Sequence, residues 1–147
     1  MAKKHKTRPD SAALEAEMHA LASTIEDYYG RYVLAGADPV ISRPGAMLWA
    51  LAEYAQARAG WDMFTALPEL QLPGAGLALL LHIFGDKKMR PAKALLLRWQ
   101  ADPDHVEDVR QFIAAIIPPG GIHLTRSNGK VDHITRGAFI TGDTRYE

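Results

Sequence analysis

Six large apolar residues near the start of the chain, Leu14, Met18, Leu21, Ile25, Tyr28 and Tyr32, follow one another at steps of 4, 3, 4, 3 and 4. Steps of three and four alternate only when the positions lie along one narrow seam of a helix. The seam predicts a long N-terminal helix that packs lengthwise against a second helix. It therefore points to an α-helical bundle, and it speaks about packing rather than chemistry.

The rest of the chain fits that frame. With 147 residues it has the size of one domain with a core of its own. Apolar content of 48% and charged content of 23% are those of an ordinary globular protein. There is no cysteine, which removes disulfides, thiolate catalysis and cysteine-based zinc sites. The basic start (Lys3, Lys4, Lys6, Arg8) is followed by polar and then helical residues rather than an apolar signal region. The longest apolar stretch, 74–85, is too short to span a bilayer. A cytoplasmic protein is expected.

Zero net charge hides an uneven distribution. Residues 1–9 hold four cations and no acid, whereas residues 10–85 carry a net charge of −6 and residues 86–147 a net charge of +2. The helical body repels polyanions, so nucleic acid would have to meet the tail or the C-terminal third.

Punctuation divides the chain into about five helices. The first is expected to start at Asp10 or Ser11, just after Pro9, and to stop by Gly36, with Gly30 a weak point. A loop to Ser42 leads into a second helix from Arg43-Pro44 to Gly60. Residues 61–73 read as one helical turn and a packed connector. The third main helix, Leu77 to Phe84, is apolar nearly all round, as expected of the buried centre of a bundle. A fourth runs from Pro91 to Ala101. A fifth is capped by Asp102 with Pro103 at its first position and ends at Ile117 before Pro118-Pro119-Gly120-Gly121. Residues 122–140 are rich in β-branched side chains around Asn128-Gly129, the signature of a β-hairpin. The expected architecture is mainly α, a small bundle of about five helices with a C-terminal β-hairpin. The expected division is a flexible basic tail (1–9), a helical domain (10–117), and a hairpin arm with the C-terminal tail (118–147).

Residues able to carry chemistry are few. His82 lies in the most apolar helix and reads as a satisfied core side chain; His19 falls off the seam. A two-residue Asn-Gly loop would place Leu124 opposite His133 and His123 opposite Ile134. His123 and His133 would then point to opposite faces, so no metal site is expected. Asp102, Asp104, Glu107 and Asp108 cluster where the helix dipole favours acids. No nucleophile elbow, phosphate loop or zinc-protease motif is present, and Gly74-Ala75-Gly76 is too short for a nucleotide fingerprint. No enzyme and no cofactor is expected. Lys87, Lys88, Arg90 and Lys93 stand between two helices, where cations beside free helix amides make an anion site.

Two functions follow. The first is a non-enzymatic adaptor or regulator that binds itself or a protein partner, not a membrane, through Leu14, Met18, Leu21, Ile25, Tyr28 and Tyr32. The alternative is a nucleic-acid-binding regulator. The order helix, helix, helix, hairpin in 77–140 resembles a winged-helix arrangement, by element order alone. That resemblance implies a wing carrying Arg126, Lys130 and Arg136, alongside Lys87, Lys88, Arg90 and Lys93. The helix in the recognition position departs from the pattern, because it opens on four acids that would face phosphates.

Overall fold

The computed structural model describes residues 2–66, 72–125 and 127–136. The fold is mainly helical, with five helices of eleven residues or more and a two-stranded antiparallel hairpin. The helices are α1 (Ala2–Leu34), α2 (Pro39–Ala59), the single turn α3 (Met63–Ala66), α4 (Leu72–Gly85), α5 (Arg90–Gln100) and α6 (Val106–Ile116). A 3-10 turn, η1 (Lys87–Met89), joins α4 to α5, and β1 (Ile122–Thr125) pairs with β2 (Val131–Ile134). Among the described residues no helix is long and apolar enough to cross a membrane.

The heptad seam is packed into this arrangement. α1 lies along α2 and α5; α2 also meets α4 and α6, and α6 packs on α4 and α5. Met18, Leu21 and Ile25 are at most 3% exposed, and they join one core with Leu51, Leu79, Leu95 and Phe112. The expected centre, α4, shares that place. Its Leu77 and Leu81 stay half-buried, while α2 buries Ala46, Met47, Leu48, Ala50, Leu51, Ala52 and Ala55. Four of those seven are alanines, which let neighbouring helices approach α2 on several sides.

Helix ends follow backbone chemistry where glycine is present. Gly36 (φ +91°) and Gly60 (φ +69°) take the left-handed conformation that closes α1 and α2. After α1 the amides of Gly36 and Ala37 donate to the carbonyls of Val33 and Tyr32. Helix starts differ more from expectation. α1 begins at Ala2 and includes Pro9, continued by helix-forming lysines on its N-terminal side, and it runs through Gly30. α2 begins at Pro39, so Val40–Ser42 are helical and Pro44 lies inside the helix. Ser42 secures this start, donating both its amide (2.9 Å) and its hydroxyl (2.7 Å) to the Asp38 carbonyl. In place of the helix expected to start at Pro103, which begins one turn later, Asp102 caps a turn at 102–105. Its carboxylate accepts from the Asp104 amide (3.0 Å), its carbonyl accepts from Val106 (2.8 Å), and α6 starts at Val106.

Two close approaches fix the C-terminal half. A Cβ on Gly76 would stand 2.5 Å from Cγ1 of Ile116, so this glycine lets α4 and α6 touch. That contact accounts for Gly76 of the Gly74-Ala75-Gly76 run. Gly121 (φ +79°) turns the chain into β1, where a Cβ would stand 2.7 Å from the Ile134 carbonyl oxygen. The hairpin is docked: Ile134 is 1% exposed within the core, and Ile122 and Leu124 pack against it. Arg136 donates to the carbonyls of Ile117 (2.6 Å) and Ala114 (3.3 Å), serving the free end of α6. Positions 67–71 of the connector, Arg126 and the tail from 137 lie outside the described residues.

Candidate functional site

The structure takes up the seam within the chain. Met18, Leu21 and Ile25 are covered by the chain's own core, and Leu14, Tyr28 and Tyr32 pack half-buried beside them. A contact between chains through Met18, Leu21 and Ile25 is therefore not available in this conformation. A heptad pattern specifies that a helix is covered; it does not say by which chain. Three acids of α1 are answered by arginines of its neighbours. Arg43 reaches Glu26 (2.7 Å), Arg58 reaches Glu17, and Arg98 reaches Glu15 (2.8 Å). The bond to Arg98 holds the Glu15 carboxyl below its ordinary range. Arg43 also stands 3.9 Å above the Tyr29 ring and 3.7 Å from Asp108, whose carboxyl is pushed up by burial.

Chemistry concentrates at the tyrosine end of the seam. The Tyr28 hydroxyl donates to the Glu53 carboxylate, and Tyr28 and Tyr32 stand 6.1 Å apart, tilted. Burial, then the bond to Glu53, pushes the Tyr28 phenol up to about 12. Beside this end Leu34 is 90% exposed, and Val33 and Trp49 are exposed as well.

The cationic cluster comes together. Lys87, Arg90 and Lys93 line a cleft of about 610 Å³ with Ile83, Phe84, Ala94 and Leu97. Its walls are the C-terminal end of α4, η1 and one face of α5. A second hollow of about 400 Å³ shares Lys87 and Arg90 and adds Lys88, Leu14 and Pro91. Lys87 and Arg90 thus form a ridge between two hollows. Lys93 is 5.6 Å from the centre of the Phe84 ring.

This cluster stands apart electrostatically. Arg31, Arg43, Arg58, Arg98, Arg110 and Arg136 each meet a carboxylate, an aromatic ring or a backbone carbonyl. Among the described residues, the exposed side chains of Lys87, Lys88 and Arg90 make no ion pair or hydrogen bond. One part of the expected anion site changes. η1 leads directly into α5, and Asp86 caps it: its carboxylate accepts from the Lys88 amide at 2.9 Å. Asp86 already occupies the anion position at that helix start, so any anion here answers to side chains rather than to amides.

The remaining basic residues are not brought to this cleft's lining. Lys130 is exposed at the hairpin turn, Arg136 is held by carbonyls, and Arg126 lies outside the described residues.

The hairpin register corrects the histidine geometry. Ile122 faces Ile134, His123 faces His133, Leu124 faces Asp132, and Thr125 faces Val131. The turn spans Ser127, Asn128 and Gly129, with positive φ at Gly129 alone (+88°), and the Lys130 amide donates to the Asn128 side chain (3.0 Å). The observed pairing is shifted by one position from that of a two-residue loop, and a one-residue shift moves every side chain to the other face. His123 and His133 therefore share a face, with rings stacked 4.4 Å apart at 4°. Their lone pairs lie in parallel planes rather than converging, and His133 Nε2 donates to the Gly120 carbonyl at 2.9 Å.

The other polar groups are engaged structurally. Asp102 orients His105 (2.7 Å), whose ring stacks on Trp99 at 4.4 Å; the Asp104 amide and then His105 hold the Asp102 carboxyl low. His82 departs from the expected satisfied core residue. Its ring meets that of Trp61 at 4.5 Å, tilted by 50°, but its buried Nε2 has no hydrogen-bond partner among the described residues and stands 3.6 Å from Asp86. No family model, curated protein or solved structure matches this chain.

Proposed function

We propose that this chain is a non-enzymatic, cytoplasmic binding protein that recognises an anionic partner through the face built by Lys87, Lys88 and Arg90. One observation carries the reading. Among the described residues, Lys87, Lys88 and Arg90 are exposed cations that make no ion pair or hydrogen bond and stand together along a ridge between two hollows, whereas the other described arginines are all engaged. The partner recognised would supply the missing negative charge.

The test is fluorescence anisotropy at low salt with two labelled probes, an oligodeoxythymidylate and an acidic peptide. The Lys87→Glu, Lys88→Glu double variant is expected to lose binding to the probe that the wild type binds. For the oligonucleotide, the slope of log affinity against log salt should fall by about 1.4, since each single-strand contact contributes about 0.7. If neither probe binds the wild type, the reading fails. If Lys130→Glu weakens the oligonucleotide as much as the double variant does, the winged-helix alternative takes its place. The described α6 surface weighs against that alternative, because Glu107 is exposed at its first turn.

A second reading, self-association, is favoured by the tyrosine end of α1. Leu34, Val33 and Trp49 are exposed there beside half-buried Tyr28 and Tyr32. Light scattering across a wide concentration range tests it: a wild type that stays monomeric throughout excludes it.

A further inference from the structure

Resting on that reading, we propose that the cleft between α4 and α5 binds a small amphiphilic anion, a flat apolar body bearing one phosphate or carboxylate group. The lining divides into two chemistries. Phe84, Ile83, Ala94 and Leu97 supply apolar surface, and Lys87, Arg90 and Lys93 supply positive charge. Arg90, Ala94 and Leu97 follow one another at steps of four and three, so a single face of α5 presents a cation first and apolar side chains after it. A ligand lying along that face meets charge with one end and hydrocarbon with the other.

Size and charge narrow the class further. About 610 Å³ falls within the range of sites that hold drug-sized molecules. Among the described residues the one acid in the lining is Asp86, and it caps η1 through the Lys88 amide while standing 3.6 Å from His82. Three cations against that engaged carboxylate favour a ligand with net negative charge. Lys93 over the Phe84 ring places a cation beside an aromatic surface, an arrangement suited to an aryl anion. An inorganic anion would leave the apolar half unused, and a neutral aryl compound would leave the cations unanswered.

Gly85 offers a clean way to close the cleft. It lines the cleft, and a Cβ placed on it meets nothing within 4 Å. Gly85→Leu therefore fills open space, and it replaces a poor helix former with a good one. The experiment is equilibrium titration with 1-naphthyl phosphate, 1-naphthoate, neutral 1-naphthalenemethanol and inorganic phosphate. Wild type, Gly85→Leu and Lys87→Glu/Arg90→Glu proteins are compared, each checked for an unchanged far-UV spectrum.

The expected result is saturable binding of at least one naphthyl anion, about tenfold or more tighter than the neutral compound or inorganic phosphate. Gly85→Leu and the charge reversal should each abolish it. The naphthyl anion that binds identifies the head group as phosphate or carboxylate. Naphthyl anions that bind no tighter than inorganic phosphate, or that bind Gly85→Leu as well as wild type, overturn the proposal. If the oligonucleotide or acidic peptide still binds in that case, only the ligand class falls. If no anionic probe binds, the broader reading falls with it.

Discussion

Replacing Ile25 with alanine tests whether the heptad seam is core within one chain. Ile25 is 0% exposed and belongs to the single core cluster. The change removes three carbons from a filled position. At ~0.8 kcal/mol per buried carbon the transfer cost is about 2.4 kcal/mol. The cavity left behind raises the loss to about 3–4 kcal/mol, inside the ~2–5 kcal/mol range of such truncations. Against a domain stability of roughly 5–15 kcal/mol that is a large share. The melting temperature should fall by roughly 6–12 °C per 3 kcal/mol for a chain of this size. Urea unfolding followed by far-UV circular dichroism, at two widely separated protein concentrations, measures it. The midpoint should drop and should not depend on concentration in either protein. The reasoning is refuted by a loss below about 1 kcal/mol. It is also refuted by a wild-type midpoint that rises with concentration and loses that dependence in the variant, because such linkage marks an interface between chains.

Three further outcomes follow. Gly76→Ala drives a Cβ into Ile116, so it should cost about 1–3 kcal/mol in the same unfolding assay despite the better helix propensity of alanine. His123→Cys/His133→Cys should oxidise to an intramolecular disulfide detected by mass spectrometry, whereas Leu124→Cys/His133→Cys, the pairing of a two-residue turn, should not. The Tyr28 phenol, raised to about 12 by burial and by Glu53, should ionise above the usual range near 10 in an absorbance titration. Its folded pKa exceeds the unfolded one, so its contribution to stability is fully present below about pH 10 and is lost as pH rises through about 12. Glu53→Gln should lower the phenol's pKa only in part, since burial acts first.

What the sequence made legible was local. The seam of α1, the glycine stops at Gly36 and Gly60 and the presence of a hairpin all depend on neighbouring residues, and each is observed; the helix expected to restart at Asp102 starts one turn later, at Val106. The cluster of Lys87, Lys88, Arg90 and Lys93 was legible for the same reason, because four near-consecutive residues around a helix start stay together in space. The hairpin register was not. Asn128-Gly129 suits a two-residue turn with both φ positive, and it equally suits a longer turn in which Gly129 alone is left-handed. Docking of Ile134 into the core accompanies the second form. The apolar half of the cleft was also hidden, since Phe84 and Leu97 reach it from two helices whose packing no local pattern specifies. The seam itself was legible as a covered surface but silent about its cover: α2 and α5 supply it, and α2 does so with a run of alanines that carries little pattern.

The most direct measurement of the central claim, recognition of an anion by the Lys87–Arg90 face, is a backbone amide NMR titration of nitrogen-15-labelled protein. The titrant is whichever anionic probe binds in the anisotropy assay. Anion binding at this face should confine shift changes to residues 83–97 and the facing turn of α1 around Leu14, where the two hollows lie. The hairpin at 122–134 should stay unmoved. Changes centred on the hairpin, or spread evenly over the surface, would contradict it.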